Sequence, residues 1–259
     1  MDQSEKRLFL IQSLLNERPS CQKQSIPADS ERQKILLRGL MNVRRAYPIG
    51  TAFLQVQDEY LQGETAAKGV TDAADLTSMQ PGLYLWQGDI TTLKCDAIVN
   101  AANSGLTGCY IPNHRCIDNA IHTFAGVELR LACEELMEQQ GYPEPTGRAK
   151  ITPAFNLPCK YVLHTVGPII GGRVTQEDKE LLTSCYRSCL ELAAENGLES
   201  VAFCCISTGE FHFPNDLAAE IAVETVKQFM NRKTSVKKVI FNVFKDFDKA
   251  IYEKLLRAD

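Results

Sequence analysis

Nowhere in the 259-residue sequence does an apolar run approach the ~18 residues that a membrane-spanning helix needs, so no helical membrane span is expected. Neither sign of charge dominates: 28 Lys and Arg stand against 32 Asp and Glu, for a net charge of −4. A chain without cationic excess lacks the electrostatic footprint of phosphate-backbone binding, which argues against nucleic acid as a partner. The first residues, MDQSEKRLFLIQSLLNERPS, carry charges on both sides of a short apolar patch and no small-residue cleavage site, so they do not read as an export signal. There is no internal repeat and no low-complexity segment. What is present is a 44% hydrophobic composition, enough for one large domain or for a core of about 170–190 residues with an extension. Ten cysteines are scattered through it. In a long chain without an export signal they predict thiols that stay free or bind metal in a reducing cytoplasm.

Residues 5–16 space Leu8, Leu10, Ile11, Leu14 and Leu15 at helical intervals, and Pro19 ends the pattern. A second helix is predicted over 29–46, capped by Asp29 or Ser30 ahead of Glu31, with Ile35, Leu36, Leu40, Met41 and Val43 as its apolar face. A third runs from Gln55 to Glu64. Residues 63–81, rich in Ala, Gly, Thr and Asp, have no period and read as a linker, which sets a helical extension (1–80) apart from a second unit (81–259). The extension serves either as a partner surface or as cover for a sheet edge; its apolar faces need burial, which favours cover. From Leu83 onward, strands at 83–90, 96–103, 160–168, 200–207 and 237–244 alternate with helices over 118–140, 176–196 and 215–231. A terminal helix places Phe247, Ile251 and Leu255 toward the sheet. The alternation predicts an α/β fold with a largely parallel sheet.

Such sheets bind ligands past the carboxyl ends of their strands, where loops and helix N-termini converge. The loops there are Gln87-Gly88-Asp89-Ile90, Asn100-Ala101-Ala102-Asn103 and Ser207-Thr208-Gly209-Glu210-Phe211-His212-Phe213-Pro214. The last offers backbone N–H groups to a phosphate, a feature it shares with many helix starts. Downstream of the second loop come Cys109, His114 and Cys116, at the spacing Cys-x4-His-x-Cys. Two thiolates and an imidazole suit Zn²⁺, and three protein ligands leave a fourth position open, as in catalytic sites. A closed structural site would need a further ligand from His122, His212 or a more distant cysteine. Spacing alone favours ordinary thiols and a surface histidine; the position beside a nucleotide loop reverses that reading.

GDIT at 88–91, DAIVNAAN at 96–103, DNAIH at 118–122, HTVGP at 164–168 and ISTGEFHFP at 206–214 resemble, in order and separation, the landmarks of the macrodomain family, which binds ADP-ribose. The resemblance covers residues 80–259 and implies a three-layer α/β/α fold with a mixed, largely parallel sheet. More narrowly, the chain is similar to a zinc-dependent microbial branch that carries Cys-x4-His-x-Cys where other hydrolytic members have a glycine-rich segment. It implies that Asp89 accepts the adenine amino group, that Ile90 offers its backbone N–H nearby and that Phe244 is the adenine platform. Ser207, Thr208, Gly209, Glu210 and Phe211 would bind phosphate through backbone N–H groups, with Phe211 near the distal ribose and Asn103 on that ribose's hydroxyls. Neutral donors of this kind need no basic surface.

The implied activity is hydrolysis of mono-ADP-ribose from protein side chains, at an Asp or Glu ester, with one Zn²⁺ per chain on Cys109, His114 and Cys116, and with Asn103 and Asp118 holding the ribose. The implied partners are ADP-ribose and an ADP-ribosylated protein. Lipoylated carriers are among the candidates for that protein, because similar branch members are associated with them and with sirtuin-like ADP-ribosyltransferases. Two other readings are a module that binds ADP-ribose without cleaving it and a deacetylase of O-acetyl-ADP-ribose. Asp118 serves as a helix N-cap or orients a water or ribose hydroxyl, two roles that can coexist. Glu210 reads as a solvated loop charge ahead of a role at the substrate linkage. His122 and His164 read as packed core histidines, while His212 lies on the phosphate loop. Cys185, Cys189, Cys204 and Cys205 read as core, and Trp86 as packing beside the adenine-side loop.

Overall fold

The computed structural model describes residues 1–17 and 25–257, so Pro19 and Cys21 lie outside the described residues. The chain opens with α1 (Gln3–Asn16), whose start is fixed by a capping box: Asp2 accepts the Glu5 N–H at 2.8 Å and Glu5 accepts the Asp2 N–H at 2.8 Å. Asp29 caps α2 (Ser30–Val43) through the Arg32 N–H, and α3 (Thr51–Lys68) starts earlier and ends later than its apolar period suggests. The three helices bury Leu10, Ile11, Leu14, Leu37, Phe53 and Leu61 in a cluster of their own. Ile35, placed on the apolar face of α2 by its sequence, is 57% exposed, and Leu37 is buried instead. α2 turns the side carrying Gln33, Leu37, Leu40 and Met41 inward, where α1 packs along it.

Residues 63–81 are not a linker. After α3 come β1 (Thr71–Asp72), a 3₁₀ turn at Ala73–Asp75 and β2 (Ser78–Gln80), with Ala73 buried in the sheet's core. Strands of two or three residues are too short to leave a period. The chain continues through β3 (Leu83–Gln87), β4 (Leu93–Lys94), which pairs with β1, and β5 (Ala97–Ala102). The helix expected over 118–140 is two, α4 (Ile117–Ala125) and α5 (Val127–Gln140), broken at Gly126. There φ is +97°, and a Cβ would sit 2.7 Å from the Gln57 amide, so the break requires glycine. Then follow β6 (Ala149–Pro153), β7 (Tyr161–Val166), α6 (Gln176–Glu195), β8 (Ser200–Phe203), α7 (Asn215–Met230), β9 (Lys238–Val243) and α8 (Asp246–Arg257). The polar AKITP of β6 has no strand signature; as an edge strand it tolerates Pro153.

The main sheet has the order β2-β3-β9-β8-β5-β7-β6. Its inner strands β3, β9, β8, β5 and β7 are parallel, and β2 and β6 add antiparallel edges. The connection from β5 toward β7 and the return from β7 over β5 to β8 run in opposite directions. Right-handed crossovers therefore put α4 and α5 on one face and α6 and α7 on the other, joined by α8. This is the three-layer α/β/α arrangement, with the helical extension against α4. Ile98, Val99, Val162, Leu163, Val201 and Ile240 are fully buried between the layers, each contributing about 1.5–3 kcal/mol by burial. α8 packs on the sheet through Tyr252 and Leu256, with Ile251 and Leu255 half-buried, whereas Phe247 is 60% exposed, against expectation. The parallel strands direct the loops after β3, β5, β7, β8 and β9 to one edge, where the sequence landmarks meet.

Candidate active site

On the β3–β9 side of this edge, Asp89 follows β3 and Phe244 follows β9. Phe244 is 75% exposed, so its ring is open to stack on a planar group. Trp86 covers Gly88 so closely that a Cβ there would lie 2.4 Å from the indole. Ile90 is buried and anchors the turn. The Asp89 carboxylate accepts from the Thr91 N–H at 3.0 Å and its hydroxyl at 2.6 Å, and pairs with Lys68 at 3.1 Å. Burial pushes its pKa up, but Thr91 and Lys68 outweigh that and hold it below the ordinary carboxylate range.

Beyond β5 the chain turns at Asn103, whose side-chain carbonyl accepts the Gly105 N–H at 2.9 Å and whose amide donates to the Gly108 carbonyl at 3.1 Å. The loop that follows brings Cys109, His114 and Cys116 together, all half-buried, with their ligand atoms within 4.8 Å of one another. Cys109 Sγ lies 3.4 Å from His114 Nδ1. Donor atoms bound at ~2.0–2.3 Å around a tetrahedral Zn²⁺ lie about 3.3–3.8 Å apart, so the group needs only small adjustments to hold one. Among the described residues, no fourth His, Cys, Asp or Glu joins the group at that spacing. His122 belongs to a separate buried group with Cys133 and His164, and His212 is exposed. As a bare thiol Cys116 is pushed up to about 12, first by burial and then by the Cys109 thiol, against the pull of the Asn119 N–H; a nearby cation reverses that preference.

Cys116, not Asp118, is the N-cap of α4, its sulfur accepting the Asn119 N–H at 3.4 Å. Asp118 is freed from capping and points inward. Its Oδ1 accepts from Asn100 Nδ2 at 2.8 Å and its Oδ2 from Asn103 Nδ2 at 3.4 Å. Burial, opposed by the Asn100 bond, lifts its pKa to about 6. Asn100 also meets His164 Nδ1 at 3.2 Å, and Thr152 meets His164 Nε2 at 2.9 Å, so His164 is a hydrogen-bonded core histidine as expected. His122 is buried, its Nε2 3.6 Å from Asp118 Oδ1, and among the described residues neither ring nitrogen has a hydrogen-bond partner. Burial holds both imidazoles neutral, His164 with a pKa of about 3.

Across the edge, the chain after β8 folds back on itself: Phe213 N–H donates to the Ser207 carbonyl at 2.9 Å and His212 N–H to the Gly209 carbonyl at 3.1 Å. Ser207 (φ +65°) and His212 (φ +57°) adopt left-handed backbone. Among the described residues no backbone group accepts the N–H of Gly209, Glu210 or Phe211, which leaves a short run of donors for an anion ahead of α7. Phe211 is tied through its carbonyl to the Ile170 N–H at 2.9 Å, and Thr208 Oγ1 donates to the Cys205 carbonyl at 3.0 Å. Glu210 reaches to 3.6 Å of His114 Nε2, linking this loop to the cysteine-bearing one.

Asn100 was legible only as part of a loop motif; it lies inside β5, a polar side chain in an apolar strand, and that contrast was its available signal. Arg38, Asn42, Lys68 and Arg130 also reach the site, and nothing local in the sequence marks them, whereas Asn119 reaches it from within the DNAIH landmark.

The Macro domain family model matches residues 99–222. A "Protein-ADP-ribose hydrolase" of Treponema medium is 58% identical over 260 residues, covering 99% of this chain and 100% of the relative. Another of that name, from Staphylococcus aureus (strain MSSA476), is 49% identical over 253 residues, covering 97% of this chain and 95% of its own. The solved structure of the Trypanosoma brucei macrodomain in complex with ADP-ribose superposes with a TM-score of 0.65 at 28% identity, over 89% of this chain and 97% of that one. The landmark loops meet at one sheet edge and the likeness to these relatives runs nearly from end to end, so the chain belongs to the macro domain family.

Proposed function

We propose that the protein is a zinc-dependent hydrolase that removes mono-ADP-ribose from modified protein side chains, with an Asp or Glu ester as its linkage. The observation that carries this reading is the convergence of Cys109, His114 and Cys116 directly beside Asn103 and Asp118, opposite the donor-rich loop at Ser207–Phe211. The names of the relatives point to the same reaction class. In this scheme Phe244 and Asp89 receive the adenine, with Ile90 offering its N–H, and Ser207, Thr208, Gly209, Glu210 and Phe211 receive the pyrophosphate. Asn103 and Asp118 then hold the distal ribose. Bound at Cys109, His114 and Cys116, Zn²⁺ would supply Lewis acidity beside that ribose. Glu210, facing the outer nitrogen of His114, would steady the imidazole, as carboxylates do for many metal-binding histidines.

For the chain as a whole we propose a helical extension followed by the macrodomain, and we place their boundary after α3 and not at residue 80, because β1 pairs with β4 and β2 forms an edge of the main sheet. No helix among the described residues is long and apolar enough to cross a membrane. Nine described cysteines are unpaired, which supports a reducing, cytoplasmic setting. A modified lipoylated carrier is one candidate substrate.

The test is elemental analysis for zinc together with ADP-ribose release from a glutamate- or aspartate-modified protein, before and after chelation. About one zinc per chain, with activity lost on chelation and restored by Zn²⁺, is the expected result. Zinc without release from any linkage would make the protein a binding module, and release by metal-free protein would move the chemistry to Asp118, Asn103 and water.

A further inference from the structure

The Cys109–Cys116 loop makes one backbone hydrogen bond of its own, from His114 N–H to the Ile111 carbonyl at 3.2 Å, yet its three ligands converge. Side chains from elsewhere hold it. Arg38 on α2 donates through Nη2 to the His114 carbonyl at 3.1 Å, and through Nη2 and Nε to Asn119 Oδ1 at 2.9 and 3.3 Å. Asn119, fully buried, passes this on by donating to the carbonyls of Ile111 at 3.1 Å and Cys109 at 3.4 Å. One turn further along α2, Asn42 accepts the Asn113 N–H at 2.9 Å, fixing a residue in left-handed backbone (φ +56°), and donates to Thr123 at 2.9 Å. Gly39, between them on the helix, lets the loop lie close: a Cβ there would be 3.0 Å from the Asn113 amide.

We propose that α2 is the template of the cysteine–histidine loop, with Arg38 and Asn42 as positioning residues that set His114 and its neighbours in place for metal binding. This deepens the hydrolase reading and rests on it for the role of the metal. The helical extension is then part of the site's machinery and not only cover. The physical ground is preorganisation: a loop with so little internal hydrogen bonding would otherwise lose its freedom at the moment of binding, and affinity would fall accordingly. Arg38 suits the task because its planar guanidinium reaches a carbonyl and an amide oxygen at once, which lysine cannot match.

The experiment compares wild type with Arg38→Ala, Arg38→Lys, Asn42→Ala and Gln62→Ala. Gln62 ties α3 to Asn156 at 3.0 Å away from the loop and serves as control. Zn²⁺ affinity is read by competition with a chromogenic chelator, folding by thermal melting, free ADP-ribose affinity by calorimetry, and kcat and KM by release of ADP-ribose from modified protein. Arg38→Ala and Asn42→Ala are expected to weaken Zn²⁺ binding by about 10- to 100-fold and to lower kcat, with KM and ADP-ribose affinity held within about twofold. Arg38→Lys should recover part of the loss, and Gln62→Ala should change none of the metal readouts. Folded Arg38→Ala and Asn42→Ala proteins that bind Zn²⁺ as wild type does would overturn the proposal. Wild type that takes up no Zn²⁺ would overturn it together with the hydrolase reading. Wild type that binds Zn²⁺ and releases no ADP-ribose would overturn only the hydrolase reading, with the chelator competition still deciding the role of α2.

Discussion

The Cys109–Cys116 loop and the Ser207–Phe213 loop face each other across one sheet edge, and both use left-handed backbone, at Asn113 in the first and at Ser207 and His212 in the second. They are held in opposite ways. The second closes on itself through Phe213 to Ser207 and His212 to Gly209, with the Ile170 N–H on the Phe211 carbonyl as a backbone tie from outside. The first depends on Arg38, Asn42 and Asn119, and on Arg130, which donates to the Thr107 carbonyl at 2.7 Å and lies 4.3 Å from the Tyr110 ring. A loop closed largely by bonds between near neighbours owes much of its shape to its own residues, whereas a loop held mainly from outside has its geometry only in the finished fold.

If the two loops divide the work into chemistry and binding, damage to each should separate in the assays. Cys116→Ala or His114→Ala should lower release of ADP-ribose from modified protein by on the order of 10³-fold, while calorimetry finds free ADP-ribose bound nearly as before. A parallel loss of binding would erase the distinction. Gly167→Ala attacks the other loop. Its Cβ would lie 2.0 Å from Ser207 Oγ and 2.9 Å from the buried Ile206 side chain, so the strand end must shift. ADP-ribose affinity should fall about tenfold while Zn²⁺ uptake stays at the wild-type level, as a dye competition would record.

A third prediction concerns the buried floor that both loops share. His164 has its pKa lowered to about 3, and His122 is also held well below its ordinary value, so unfolding takes up protons once the pH falls below ~6.5. Stability from these groups is therefore complete above that pH and lost as it falls. Asp118, raised to about 6, acts in the opposite sense between about pH 4 and 6, because there the folded state holds the extra proton. Two imidazoles outweigh one carboxyl, leaving a net loss of stability as the pH falls through that window. Urea unfolding at pH 7.5, 5.5 and 4.5 would measure it, and a midpoint that does not move would contradict neutral buried histidines. The smallest effect is expected for Glu210→Gln. Glu210 is 68% exposed on its side chain and 3.6 Å from His114 Nε2, so solvent screens it, and Zn²⁺ affinity should drop by no more than about fivefold.

Several features were legible because they are short-range. The alternation of apolar strands with helices announces the layered α/β fold, and Asp29 caps α2 by a bond spanning three residues. Cys109, His114 and Cys116 read as a candidate ligand set through their place beside the nucleotide loop and not through their spacing alone, and the Ser207–Pro214 motif offers backbone donors as many helix starts do. Each rests on periodicity or on contacts between near neighbours, which a linear chain records directly. Only the tertiary structure decided the rest. That Cys116 and not Asp118 caps α4, that Asp118 turns inward to Asn100 and Asn103, and that α2 turns Leu37 inward and Ile35 outward all depend on partners far along the chain. The grip of Arg38 on the loop spans 76 residues to His114 and 81 to Asn119, contacts that exist only once the helical extension packs against α4. No local pattern marks them, because the energy of such bonds comes from desolvated, preorganised geometry that the folded chain alone supplies.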